Sequence, residues 1–537
     1  MTDETIKVSE LTYMDLVALY SKHGGESATA RALGISRTTL QSHFYKVRDA
    51  RFISRRMKEA RKVSPDSDQI RYFIFSSAQD NTAIHHQFLK NLEAYAEFRD
   101  AEIIISGFTY DKSLYEDHRK EEATFYPEIA KYLDGRRILL GDGLMFCGEM
   151  NTLPTAVNPL SGFETYTGAS SGIFPHPKVH LTSIPTSKGE PCKMILTTGA
   201  VTLPNYIQKK AGIKAEFNHE IGAVIVELLP TGQFFVRHLL AEEDGTFYDF
   251  KFRVKDGEIT VGDWVEAVNW GDIHEEKNDN QIAKFLWDTD LEEDRLSMLD
   301  YLVPNYQFIH DTMDFTYRNH HNINDPHFRF EMFTHGTETV RDSILKAQAF
   351  LNRVYRWHCT TVVVESNHDL ALLKWLKTAD YRTDPVNAEY FLLLQRRVYQ
   401  AIREREKDFQ IFPWALQQEG EFTNTIFLKE DDSFLIAGDI ECGMHGHNGA
   451  NGVKPTPRQF SRMGRKSNTG HTHSASIIDG CYTAGISGSI DQGYNKGLSS
   501  WSHSHIVTYI NGKRTIVTQI ADGHYCGDTW VFRSRSS

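Results

Sequence analysis

Five short groupings in the C-terminal half carry side chains able to hold metal ions: Asp272-Ile273-His274, His310-Asp311-Thr312-Met313-Asp314, Ser366-Asn367-His368-Asp369, His445-Gly446-His447 and Gly470-His471-Thr472-His473. Each pattern alone is common. A lone Asn-His is more often a hydrogen-bonded loop, and His-x-His a strand-edge pair. Together they offer carboxylates, imidazoles and an amide, a donor set that suits manganese, iron or zinc rather than calcium or a thiolate-bound zinc. Such a set serves hydrolysis: two metals about 3.5–4 Å apart share a hydroxide, lower its pKa and clamp both oxygens of an in-line displacement at phosphorus. Each histidine ligand needs an acceptor for its second ring nitrogen, which Asp314, Asp369 or Asp439 could supply.

Most of these groupings end an apolar run, as expected of loops that sheet strands hold at one edge. Asp263 to Trp270 reads as a core strand leading into Asp272. Residues 306–309 and the β-branched run 360–364 lead into the second and third groupings. Between them, a polar, acidic helical stretch is expected over 280–302 and helices over 338–357, 370–379 and 388–407. Two strands (425–428 and 433–437) precede His445, and the remainder is rich in Gly, Ser and His, ending in a strand over 506–510.

Upstream, residues 63–255 alternate strand and helix patterns. Strands are expected over 70–75, 101–106, 137–140, 193–196, 221–229 and 234–240, and helices over 81–98 and 121–133, an α/β domain. Asp80-Asn81-Thr82 and Gly141-Asp142-Gly143 follow strands and read as turn and cap chemistry. Residues 1–62 read as a third, all-α unit. Tyr13 to Lys22 and Ser27 to Leu33 have helical spacing, Gly34 suits a tight turn, and Ser36 can cap a helix from Arg37 to Arg48. The string Ala30-Arg-Ala-Leu-Gly34-Ile35-Ser36 with Thr39-Leu40 resembles a helix-turn-helix of phage and bacterial regulators. That resemblance makes Arg37, Thr38, Gln41 and Ser42 candidate base or phosphate contacts. A basic flank that includes Arg48, Arg51, Arg55, Arg56, Lys58, Arg61 and Lys62 suits phosphates.

Composition narrows the classes. At 537 residues, two to four domains are expected. No apolar run is long enough to span a membrane, and the N-terminus lacks a secretory pattern. Six scattered cysteines without Cys-x-x-Cys point to reduced thiols in a cytoplasmic setting. A net charge of -12 argues against wholesale coating of nucleic acid, so DNA contact must come from a local basic patch.

In order and content, the five groupings resemble the motifs of the calcineurin-like metallophosphoesterase superfamily, which includes paired-manganese DNA-repair nucleases. The resemblance covers residues 259–537, with His310 and Ser366 standing where the family has glycines. It implies an αββα-type sandwich over 256–537 holding two divalent ions, manganese first, with iron, zinc or magnesium as alternatives. Carried over, Asp272, His274 and His473 hold one ion, Asp311 bridges, and Asn367, His445 and His471 hold the other; His447 competes with His445. His368 stands beside the scissile phosphate as general acid or charge stabiliser. Arg318, His320 and His321 are further phosphate-contact candidates.

Joined to a helix-turn-helix, this implies a two-metal DNA nuclease, similar to the DNA-degrading and DNA-transfer proteins of large phages. It would act in the cytoplasm (the host's, if phage-encoded) as a homo-oligomer. The alternatives are a phosphatase or nucleotidase with a tethering N-terminal module, and a DNA-binding regulator or scaffold with an idle metal site.

Overall fold

The computed structural model describes residues 8, 11, 13–23, 25–47, 51–54, 59–109, 122–292, 295–319 and 322–519. It is a mixed α/β structure built on two large sheets and a smaller four-stranded one.

The first large sheet has six strands. Thr425–Leu428, Thr360–Val364, Tyr306–Ile309 and Val265–Asn269 run parallel, in that spatial order, followed by the antiparallel pair His503–Tyr509 and Arg514–Gln519. Alternation along Thr360–Val364 shows how the sheet is buried on both sides. Val362 and Val364 pack with Phe308, Ile436 and Ile440 on one face, and Val363 joins the helix-side core on the other. That core is supplied by helices Asn280–Trp287, Met298–Leu302, Val340–Val354, Ala371–Thr378 and Ile411–Glu419. Val340–Val354 buries Val340, Ile344, Ala347, Leu351 and Val354, the three- and four-residue spacing of an amphipathic helix. Its first turn is capped by the Thr339 hydroxyl, which accepts from the Asp342 N–H at 3.3 Å.

The second large sheet has eleven strands drawn from two distant parts of the chain. Arg61–Val63, Arg137–Leu140, Leu144–Cys147, Ser171–Phe174, Lys193–Thr197 and Leu181–Ile184 come from the middle of the sequence. Ser476–Ile478, Cys481–Thr483, Lys466–Thr469, Ile440–Glu441 and Leu435–Ile436 come from the C-terminal part. The two groups join where Leu181–Ile184 pairs antiparallel with Ser476–Ile478. The spans 63–255 and 256–537 therefore share one sheet.

The four-stranded sheet, in order Phe234–Leu240, Gly222–Leu228, Arg71–Gln79 and Ala101–Phe108, packs Phe73, Phe75 and Val226 on the eleven-stranded sheet. Its other face, with Ile74 and Ile225, meets helix His86–Arg99 and the N-terminal helices.

Those helices are Tyr13–His23, Glu26–Ala32 and Arg37–Val47. Gly34 takes the expected positive φ of +67°, and Ser36 Oγ accepts from the Thr39 N–H at 3.0 Å. The bundle docks on the body through Glu26–Ala32: Asn205 Nδ2 donates to Glu26 Oε2 at 2.8 Å, and Ser27 Oγ to the Tyr206 carbonyl at 3.1 Å. Gly25 lies so close that a Cβ there would stand 2.3 Å from the Pro204 oxygen.

Two expected helices are corrected. Over 121–133 the chain forms a strand, Glu122–Phe125, then a 3-10 turn, Pro127–Tyr132, because Pro127 has no N–H to continue a helical ladder. Over 280–302 the helix stops at Trp287 and a new one starts at Met298, capped by Ser297. Between them Asp290 and Arg295 exchange backbone bonds of 2.7 and 2.8 Å, a turn that interrupts a stretch crowded with acidic charge. Helices absent from the sequence reading include Lys210–Phe217, Pro326–His335, which buries no side chain, and Ile411–Glu419, which packs into the helix-side core. Among the described residues, no helix is long and apolar enough to cross a membrane, and Cys147, Cys192, Cys359, Cys442 and Cys481 are free thiols.

Candidate metal centre

Three adjacent parallel strands present their carboxyl ends to one spot. Val265–Asn269 leads to Asp272 and His274, Tyr306–Ile309 to Asp311, and Thr360–Val364 to Asn367 and His368. Neighbouring strands lie about 4.8 Å apart, so residues just past their ends converge. The second sheet faces them: the loop after Ile440–Glu441 brings His445, and the loop after Lys466–Thr469 brings His471 and His473.

Backbone bonds lock the loops together. His274 N–H donates to the Asp311 carbonyl at 2.8 Å, Ile273 N–H to His310 at 3.0 Å, and Gly470 N–H to His445 at 2.8 Å. The local backbone is unusual. His274, Asp311, His471 and His473 all have φ between 46° and 73°, the left-handed region that costs non-glycine residues energy and that clusters at functional sites. Gly470 is needed for a steric reason, since a Cβ there would stand 2.2 Å from Asp272 Oδ1.

The side-chain atoms meet closely. His473 Nε2 is 3.0 Å from Asp272 Oδ2 and 3.1 Å from His274 Nε2, and His274 Nε2 is 3.4 Å from Asp311 Oδ2. These four residues, all buried, offer ligand atoms within 4.8 Å of one another. On the other side of Asp311, His445 Nε2 lies 3.5 Å from Asp311 Oδ2 and 3.1 Å from Asn367 Oδ1. His447 instead contacts Glu430 Oε1 at 2.8 Å, so geometry favours His445 over His447 beside Asn367. His471 reaches the cluster by its backbone, donating to Asp272 Oδ2 at 2.7 Å, with its ring centroid 5.2 Å from that of His445.

Asp314 organises two histidines. Its Oδ1 stands 3.0 Å from His274 Nδ1, which leaves Nε2 turned into the cluster, and its backbone carbonyl is 3.0 Å from His368 Nδ1. Lys277 Nζ, 2.9 Å from Oδ2, and the Thr316 hydroxyl complete its shell. Asp369 serves the loop instead, accepting from the Met313 N–H at 3.2 Å and the Ser366 hydroxyl at 3.0 Å. Asp439 is exposed and lies near Lys466.

Electrostatics divides the histidines. Burial pushes His471 and His473 down to about 4 and His445 well below the usual range, so their lone pairs are free at neutral pH. Burial also opposes charge on His368, but Asp311 and Asp314 outweigh it and raise its pKa. Burial and the neighbouring Asp311 push the Asp272 carboxyl well up. For Asp311, burial is outweighed by His445, His368 and His274, which hold it well below the carboxylate range.

The cluster opens to a cleft of about 750 Å³, lined by Asp311, Asn367, His368 and His471, by Lys277, Lys374 and Lys454, and by Tyr494 and Trp501. The sequence reading missed those lysines and aromatics. Lys277, three residues past His274, was the one with a positional signal. Arg318 is corrected: it is buried and forks onto Asp384 at 2.6 and 2.8 Å, so it is committed to the fold. His320 and His321 lie outside the described residues.

The DNA-contact candidates are mixed. Thr38 and Ser42 are exposed and Gln41 is half-buried, whereas Arg37 Nε is held by Glu26 Oε1 at 3.1 Å. Arg48 lies outside the described residues; Arg51 opens strand Arg51–Ser54, which pairs with Glu122–Phe125. Arg61 belongs to the eleven-stranded sheet and forks onto Glu102 at 2.6 Å.

Among known proteins, the chain is 43% identical over 459 residues to Protein A1 of Escherichia phage T5, an alignment spanning 83% of this chain and 81% of that protein. No family model matches the chain, and no solved structure matches it.

Proposed function

The chain belongs to the family of Protein A1 of Escherichia phage T5, and from that premise we propose that it is a two-metal-dependent DNA nuclease of metallophosphoesterase type. The observation that carries this reading is the convergence of Asp272, His274, Asp311 and His473, with Asn367 and His445 adjoining through Asp311. The residues fit a pair of divalent cations. Asp272 Oδ1 and Asp311 Oδ1 are buried without a hydrogen-bond partner, and two imidazole nitrogens face each other at 3.1 Å. Buried carboxylates and opposed lone pairs are costly unless a cation lies between them. Asp272, His274 and His473 would hold one ion and Asn367, His445 and His471 the other, with Asp311 between them. Bound there, manganese or a similar cation supplies an activated hydroxide and neutralises charge on the phosphate.

The chain's own residues do the rest. The Asp314 carbonyl and carboxylate orient His368 and His274 respectively, so His368 presents Nε2 to the cleft and donates a proton to the departing oxygen. Lys374 and Lys454 line the cleft and attract the polyanion. DNA is the favoured phosphodiester because three helices with a Gly34 turn and an exposed Thr38 and Ser42 lie at the N-terminus.

The test is incubation of the purified chain with linear and circular DNA under a panel of divalent metals. Manganese-dependent degradation is expected, lost in Asp311→Asn and His368→Ala while DNA binding is kept. Hydrolysis of free nucleotides with every DNA left intact would sink the nuclease and leave a nucleotidase.

A further inference from the structure

Beside the ligand cluster, the cleft carries an aromatic corner that the chemistry above leaves unused. Trp501 packs edge-to-face on His473, with centroids 4.2 Å apart at 79°, and Tyr494 stands 6.0 Å from Trp501 at 69°. Both line the same cleft as Asp311, Asn367 and His368. Tyr494 is 53% exposed, a large ring left in water where much of the rim is lysine and asparagine. Lys277 lies over that ring, its Nζ 5.4 Å from the centroid, and the same ammonium is tied to Asp314 at 2.9 Å.

The segment carrying the two rings is held in place at several points. Ser489 N–H donates to the Lys277 carbonyl at 2.8 Å, and Gln492 Nε2 to the Ser489 carbonyl at 2.7 Å. Thr186 and Ser499 exchange backbone bonds of 2.9 and 2.8 Å, and Lys188 pairs with Asp491 at 2.8 Å. The rings are thus positioned before any ligand arrives, which lowers the cost of using them.

A phosphodiester seated on the cluster brings its flanking nucleotide to these rings. Every base has a π-face, but in an intact duplex neighbouring bases cover it, and only an unstacked base can meet an aromatic side chain. We propose that Tyr494 and Trp501 form a stacking platform for the unpaired base beside the reacting phosphate, so that the cleft selects single-stranded or frayed DNA over intact duplex. The location rests on the phosphodiesterase reading above; recognition of the base is a binding property separable from hydrolysis.

The experiment uses full-length protein and fluorescence anisotropy, with excess calcium in place of manganese so that the cluster is occupied while the DNA stays intact. The probes are a short labelled oligothymidylate and a sugar-phosphate oligomer of equal length without bases. Wild type is expected to bind the base-bearing oligomer ~10-fold more tightly. Tyr494→Ala should erase that preference and leave the base-free oligomer's affinity unchanged, while Tyr494→Phe should retain it. Equal affinity of wild type for the two probes, or equal weakening of both by Tyr494→Ala, overturns the platform. With manganese restored, Tyr494→Ala should raise KM on single-stranded DNA with kcat held. Absent hydrolysis alongside base-dependent binding refutes the nuclease and supports the platform; hydrolysis without base-dependent binding does the reverse.

Discussion

At the scale of single residues, Gly470 and Asp314 make the sharpest demands. A methyl at position 470 would lie 2.2 Å from Asp272 Oδ1, so either the carboxylate or the His471–His473 loop must move. Gly470→Ala should therefore lower manganese affinity at least ~100-fold by isothermal titration calorimetry, with the far-ultraviolet circular dichroism unchanged; unaltered affinity would show that the loop gives way freely. Asp314→Asn keeps the shape but weakens the acceptor that holds His274 Nδ1, and a ~10–100-fold loss of metal affinity is expected in the same measurement. The ligand candidates were legible in the sequence because each loop carries Asp, Asn or His in a recognisable order. Their supports were less so. Asp314 was one of three acceptors the sequence offered, and only folding shows that Asp369 serves a loop and Asp439 lies exposed. Tyr494 and Trp501 lie in a tract whose Gly and Ser content says turn and nothing about a cleft.

At the scale of elements, the contact between helix Glu26–Ala32 and the body yields a pH dependence. Burial raises Glu26 from the usual glutamate range to about 7, although Arg37 and Asn205 partly offset it. The folded state therefore binds a proton that the unfolded chain releases near 4.5, so the contribution is fully present below that value and fades as pH rises to about 7. Thermal melts of wild type should lose roughly 1–3 kcal/mol of stability across that window relative to Glu26→Gln; parallel pH profiles for the two proteins would refute the assignment. Strands such as Tyr306–Ile309 and Thr360–Val364 were readable because apolar, β-branched runs buried on both faces have few other homes. The strands of the second sheet were harder. Ser171–Phe174, Leu181–Ile184 and Lys466–Thr469 have only four residues each, too few for a clear period, and Leu181–Ile184 finds one partner far along the chain at Ser476–Ile478, so local pattern says little. The misread 121–133 segment shows Pro127 overriding a helical composition.

At the scale of the whole molecule, the N-terminal helices are an addition to a body whose sheets run through the rest of the chain. A cut after residue 62 would remove strand Arg51–Ser54 and most of strand Arg61–Val63, an end of the eleven-stranded sheet. A cut after residue 47 spares both. Deletion of residues 1–47 should abolish salt-sensitive duplex binding while retaining manganese-dependent cleavage of short DNA, whereas deletion of 1–62 should give aggregating protein, as judged by gel filtration. Retained duplex binding in the shorter deletion would mean that another surface holds the DNA.

The seam between Leu181–Ile184 and Ser476–Ile478 also bears on how the protein is made. Ser183 and Ala475, bonded across it, are 292 positions apart. At about 5–20 residues per second, a ribosome needs roughly 15–60 s to make the second strand after the first. Throughout that interval Leu181–Ile184 is an open edge on a growing sheet, ready to pair with any passing strand. Productive folding is thus a matter of timing, and the nascent chain depends on that edge meeting no other strand before its own distant partner emerges.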